Sequence, residues 1–213
     1  MVYLIKNKTF SSNTYLLSGE NEKHCLIIDP GLDESFIDNR IHELHLTPVA
    51  IIATHGHFDH IAGVTYFKDT YSIPFYIHEA DVKISKSANF FLKIAGINHK
   101  IITPTYDFLF KGEHEKITIS NFNLDIYNLS GHSNGSIVIK YGDNLFSGDI
   151  IYKNKLGFNN FPGEDRVKLR ESVIKMFKIF PDNSTIFPGH GESEYLGVIK
   201  KNNTDLLDFL YKR

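Results

Sequence analysis

Val49-Ala50-Ile51-Ile52-Ala53-Thr54-His55-Gly56-His57-Phe58-Asp59-His60 places a short, wholly apolar run directly before a cluster of metal-ligating residue types. The apolar run shows no alternation, which suits a strand buried on both faces. The ends of such strands are where open α/β sheets place their chemistry. Two imidazoles two residues apart, just beyond a strand, can point to one side, and Gly56 allows the backbone to turn tightly between them. Asp59 and His60 then have room to face a second site. With 11 histidines and 14 aspartates among 213 residues, His-x-His-x-Asp-His arises by chance in roughly one window in 10⁵. Any one of these histidines alone would read as an ordinary core or surface residue. Four such groups in six positions point to metal binding.

Working outward, the upstream chain reads as short strands at residues 2–5, 13–17 and 24–28, divided by Ser18-Gly19 and Asp29-Pro30-Gly31. This predicts an antiparallel start to a sheet. Phe36, Ile37, Ile41 and Leu44 recur at helical spacing between Asp33 and His45, and Pro48 breaks the pattern. Downstream, a helix is expected over 62–70, a strand over 75–78 and an amphipathic helix over 79–85. The segment 89–97 (Asn-Phe-Phe-Leu-Lys-Ile-Ala-Gly-Ile) suits a helix bordering a substrate mouth, a dimer contact or plain core packing. The second half repeats the style, with strands at 117–119, 124–129, 137–141, 145–146 and 184–187 and a helix over 167–180. Two strand-rich halves with helices outside imply an α/β, four-layer αββα sandwich, a single domain over 1–213.

Three later positions extend the cluster, each a polar group in a glycine-containing turn after an apolar strand: His132 in Ser130-Gly131-His132-Ser133, Asp149 in Ser147-Gly148-Asp149, and His190 in Pro188-Gly189-His190-Gly191. Singly, each would pass for a turn residue. The remaining histidines, His24, His42, His45, His78, His99 and His114, match no ligand position and read as surface or structural groups.

Composition narrows the partners. At 42% hydrophobic and 23% charged residues the chain has the makings of a stable core. A formal net charge of −2 offers no basic face for nucleic acid or an anionic membrane. Cys25, the sole cysteine, lies in Cys25-Leu26-Ile27-Ile28, which excludes an internal disulfide and suits a buried, inert thiol. No charged leader opens Met1-Val2-Tyr3-Leu4-Ile5-Lys6, and no segment approaches the roughly 18 apolar residues that span a bilayer. The expectation is a cytoplasmic monomer or homodimer acting on a small molecule.

On these motifs the sequence resembles the metallo-β-lactamase superfamily, and within it the hydroxyacylglutathione hydrolase (glyoxalase II-like) branch. The matching features run along nearly the whole chain: Asn13-Thr14-Tyr15, Asp29-Pro30-Gly31, the histidine motif at 54–60, Gly131-His132-Ser133, Ser147-Gly148-Asp149 and Pro188-Gly189-His190-Gly191. The resemblance implies that His55, His57 and His132 bind one metal, that Asp59, His60 and His190 bind a second, and that Asp149 bridges them. It also implies that Tyr152 and Lys153 contact the thiol portion of a substrate. Gly157 and Pro162-Gly163 stand where such hydrolases have them, whereas Phe158 replaces an arginine common in these relatives. Only 23 residues follow His190, whereas the full glyoxalase II pattern adds a helical domain that helps hold glutathione.

Imidazole nitrogens and carboxylate oxygens without thiolate suit two divalent ions, zinc first, with iron or manganese also accepted. Such ions acidify a bound water, which suits hydrolysis with Asp59 orienting the nucleophile, and the branch resemblance implies a thioester substrate, such as an acyl-glutathione or another acyl-thiol. The alternatives on this scaffold are a mononuclear iron persulfide dioxygenase and a lactone or other ester hydrolase.

Overall fold

The apolar run before the histidine motif sits near the middle of a six-stranded mixed sheet, in the order β1 (Val2–Lys6), β2 (Asn13–Ser18), β3 (His24–Ile28), β4 (Thr47–Ile52), β5 (Phe75–His78) and β6 (Phe108–Phe110). The computed structural model describes residues 1–19, 23–157 and 163–211. The first three strands pair antiparallel, as the closely spaced turns predict, and β3 to β6 run parallel. Parallel neighbours require crossovers, and helices α1 (Glu34–Glu43), α2 (Phe58–Ile61) and α3 (Val64–Tyr71) supply the first two. A 3-10 turn (Glu79–Asp81), α4 (Val82–Lys86) and α5 (Ala88–Ile94) lie in the third. The second six-stranded sheet is laid out as β12 (Glu194–Tyr195), β11 (Thr185–Pro188), β10 (Asn144–Gly148), β9 (Ile137–Tyr141), β8 (Phe122–Asn128) and β7 (His114–Ile119). Helices α6 (Arg166–Ile179), α7 (Leu196–Asn202) and α8 (Thr204–Tyr211) cover its outer face.

Strand alternation sorts side chains into three apolar layers. On β3 and β4, Cys25, Ile27 and Ile51 face α1 and α3, where they meet Ile37, Ile41, Val64 and Phe67. Their neighbours Leu26, Ile28, Ala50 and Ile52 face the other way, into a layer completed by Phe122, Leu124, Ile126, Ile137, Ile139 and Phe146. Val138 and Leu145 point beyond the second sheet to Leu169, Val173, Leu206 and Phe209. Helix, sheet, sheet, helix is therefore the stacking order, the expected αββα sandwich. Truncating a fully buried residue of the middle layer, such as Phe122, would cost about 3–5 kcal/mol.

The structure adjusts several element boundaries. β4 begins two residues before the apolar run and includes Pro48, tolerated because the β3–β4 register shifts between Cys25 and Leu26, opposite the missing donor. The helix expected from 62 is preceded by α2, which carries Phe58, Asp59 and His60 on a helical turn. β6, β12, α7 and α8 were not anticipated. Cys25 is buried and unbonded, its thiol pushed up to about 12 by burial. Among the described residues no helix is long and apolar enough to cross a membrane.

Candidate metal centre

The histidine motif leaves β4 at Thr54, where two neighbouring carboxylates take hold of it. Asp29, in a left-handed conformation (φ 53°) at the end of β3, accepts hydrogen bonds from the Thr54 N–H and Thr54 Oγ1, both at 2.6 Å. Asp81, at the end of the turn after β5, accepts from the Gly56 N–H at 2.8 Å. The same Asp81 carboxylate accepts from Ser133 Oγ and the Gly135 N–H, each at 2.6 Å. One buried aspartate thus joins the loop carrying His55 and His57 to the loop carrying His132. Three buried bonds keep it in place although burial raises its pKa.

His55 Nε2 and His132 Nε2 lie 3.1 and 2.9 Å from His57 Nδ1, so three ring nitrogens from both halves of the chain converge. The outward nitrogens fix the tautomers. His132 Nδ1 donates to the Gly157 carbonyl at 2.7 Å and faces Glu164 at 3.3 Å. Thr54 Oγ1 spends its proton on Asp29, so at 3.1 Å from His55 Nδ1 it can only accept. Both rings are thereby left with Nε2 lone pairs turned inward.

A second set assembles beside the first. His60 Nε2 lies 3.3 Å from Asp59 Oδ2, and His190 Nε2 lies 3.1 Å from the same oxygen. Outside, His60 Nδ1 meets Asp29 Oδ2 at 3.0 Å and His190 Nδ1 donates to the Ser11 carbonyl at 3.1 Å. Asp149 stands between the sets, 3.5 Å from His60 and from His190 and 3.7 Å from His132. Its approach depends on bare backbone: a Cβ on Gly189 would lie 2.0 Å from Asp149 Oδ1, and one on Gly148 (φ 50°) 2.3 Å from Thr54 Oγ1. Asn13 and Tyr15 on β2 fasten the His190 turn, donating to the Pro188 carbonyl at 2.9 and 2.6 Å; Asn13 also reaches the Gly191 carbonyl at 3.0 Å.

All seven residues read as ligands from the sequence are brought together. With the imidazoles neutral, Asp59 Oδ2, His60 Nε2 and Asp149 Oδ1 are buried without a hydrogen bond of their own, an unfavourable state for polar atoms unless something else satisfies them. A divalent cation would do so, and the nitrogen and oxygen donors fit zinc, iron or manganese. Asp29, though close to His55 and His60, already has its oxygens engaged and acts as a support.

Electrostatics agree with a cation-shaped gap. Burial and His132 push His57 down to about 3, and burial with His60 pushes His55 well down. Burial also pulls on His60 and His190, but the surrounding carboxylates outweigh it, raising His60 well above the ordinary histidine value and His190 to about 10. Asp59 and Asp149 fall below the usual carboxylate range because His60 in particular overcomes their desolvation. Protons on His60 and His190 thus supply the positive charge that a metal would bring.

The centre forms the floor of a cavity of about 700 Å³. Tyr152 and Lys153 both line it. Burial and Asp149 keep the Tyr152 hydroxyl protonated, and Lys153 pairs with Glu192 at 2.9 Å and Glu194 at 3.6 Å. From the segment 89–97, Phe91 reaches the cavity beside His57, whereas Leu92 packs in the core. Phe158 and Pro162 lie outside the described residues. The six other histidines join none of the candidate clusters; His78 is buried, accepting from the Ala80 N–H at 3.3 Å, and His114 is an exposed partner of Asp125. Sequence reading missed Asp81 and Phe10.

The model of the metallo-beta-lactamase superfamily matches residues 7–190. The probable metallo-hydrolase YqgX of Bacillus subtilis is 31% identical over 84% of this chain and 85% of its own length. The hydroxyacylglutathione hydrolase GloC of Haemophilus influenzae is 29% identical over 95% and 96%. Among solved structures, the BLEG-1 B3 metallo-beta-lactamase superposes with a TM-score of 0.87 at 29% identity, over 97% of this chain and 99% of that one.

Proposed function

The chain belongs to the metallo-beta-lactamase superfamily, and we propose that within it this protein is a dinuclear metallohydrolase of the glyoxalase II-like branch that cleaves a thioester. One observation carries the proposal: two converging donor sets share Asp149 between them. Divalent cations held there supply Lewis acidity for a carbonyl and acidify water at neutral pH.

The chain's own groups divide the remaining work. His55, His57 and His132 would hold one ion and Asp59, His60 and His190 the other, with the Asp149 carboxylate standing between the two sets. Asp59, on the cavity floor, would also orient the attacking water through a carboxylate oxygen that accepts its hydrogen bond. Tyr152, held neutral by burial and Asp149, lines the cavity on the side proposed for the thiol portion of the substrate. Lys153 lies on the side where the thiol leaves. The relationship to GloC supports a thioester over other acyl substrates. The likeness to BLEG-1 favours a β-lactam as the second substrate class.

The test pairs metal analysis with a substrate screen. Two metals per chain, zinc first among the candidates, and turnover of acyl thioesters are expected. One iron per chain with oxygen consumption on a persulfide, or cleavage of a β-lactam or lactone in place of every thioester, overturns the proposal.

A further inference from the structure

The lining of the cavity above the histidine floor is of two kinds. Tyr152, Lys153, Asn154, Lys155 and Glu192 are polar or charged, while Phe10, Phe58 and Phe91 are apolar. Phe10 meets Phe58 edge to face at 4.8 Å and His190 at 6.4 Å; Phe91 lies 6.3 Å from His57. The three rings therefore extend from beside the second donor set to beside the first.

Phe10 is held there against local preference. It and Ser11 form the turn between β1 and β2 with φ of 66° and 54°, the left-handed pair that glycine and asparagine ordinarily supply. Ser11 has a reason to be there, since its carbonyl accepts from His190. Nothing in that bond requires an aromatic ring at residue 10. Yet Phe10 remains 43% exposed, its ring presented to the cavity instead of the core. An outlying backbone that displays a large apolar side chain beside reactive groups is a sign of ligand contact.

We infer that Phe10, Phe58 and Phe91 form an acyl subsite that selects thioesters of bulky apolar acids over small hydroxy acids. The inference rests on the thioesterase reading for the identity of the occupant. With the carbonyl placed over the donor sets, the two halves of the substrate divide between the polar and the apolar lining. The charged lining suits a polar thiol carrier, which leaves the phenylalanines to the acyl group. A small hydroxyacyl group would leave these rings wet and bring its own hydroxyl against them without a partner.

Two readouts on the metal-loaded protein separate this inference from the reaction assignment. Calorimetric titration with 3-phenylpropanoate and with lactate should give at least about tenfold tighter binding of the former, the discrimination expected of an apolar pocket. Phe10→Ala and Phe91→Ala should each remove most of that preference, and Phe10→Leu should retain part of it, with circular dichroism confirming the fold. The same ratio should appear in kcat/KM for phenylpropanoyl and lactoyl thioesters of one simple thiol. Equal or reversed affinities, or alanine variants that keep the preference, overturn the subsite. If the carboxylates bind with the expected preference but neither thioester is cleaved, the subsite stands and the thioesterase reading falls.

Discussion

The floor and the rim of one cavity are built by opposite means. On the floor, His55, His60, His132 and His190 each have their outer nitrogen engaged, by Thr54, Asp29, Gly157 and Ser11. Asp81 ties two of the loops that carry these side chains together. At the rim, Phe10 rests on edge contacts with the rings of Phe58 and His190, and Lys153 meets its glutamates in solvent. Floor positions are determined several times over, whereas rim side chains could be exchanged with little disturbance to their neighbours. The difference teaches that the type of reaction is held by the fold and the choice of substrate by a few replaceable side chains.

The largest expected effect belongs to the most constrained floor residue. Asp149→Asn should weaken metal binding by at least about 100-fold, the upper end for mere supporting groups, since this carboxylate also balances the charge of two cations. Normal metal content by elemental analysis together with normal turnover would break the floor assignment. Asp81→Ala should lower metal affinity by about 10–100-fold without removing a ligand, and destabilise the fold by about 1–3 kcal/mol for each buried N–H it orphans. Titration with metal and denaturant melting measure the two effects, and unchanged affinity would mean that the floor is not wired through this residue.

A proton count sharpens the contrast further. His60 and His190 hold protons in the metal-free protein, and metal loading requires neutral imidazoles, so loading at pH 7 should release protons to an indicator dye in weakly buffered solution. Affinity should strengthen as pH rises towards about 10, the value for His190. The metal-free fold should respond in the opposite sense: the stabilisation from protonated His190 is complete below its ordinary 6.5 and lost as pH rises through about 10. Melting temperatures of the metal-free protein that stay flat over that interval would contradict this. The smallest effect is expected at the rim, where Lys153→Ala should leave stability unchanged and shift KM by no more than about fivefold.

What could be read in advance follows the same division. The apolar run at 49–53 announced a buried strand, and the four groups that follow it were too dense to be accidental. His132, Asp149 and His190 were legible because each turn after a strand carries glycine. Asp81 was not, because one carboxylate among 25 acidic residues shows nothing of its burial until β5 brings it under the histidine loops. Phe10 was silent for a related reason. Its turn lacks the glycine or asparagine that signals left-handed backbone, so neither the bend nor the direction of the ring could be foreseen. The helix Thr204–Tyr211 was missed although Leu206, Phe209 and Leu210 complete a core layer; at two turns it is too short for periodicity to declare itself.

The bonds from Asn13 and Tyr15 to the turn bearing His190 span more than 170 residues of chain. During synthesis, β2 leaves the ribosome long before its partners exist, and each donor set draws on both halves of the polypeptide. A nascent or broken chain therefore cannot assemble either complete set, and firm capture of the ions becomes a certificate that both sheets have docked.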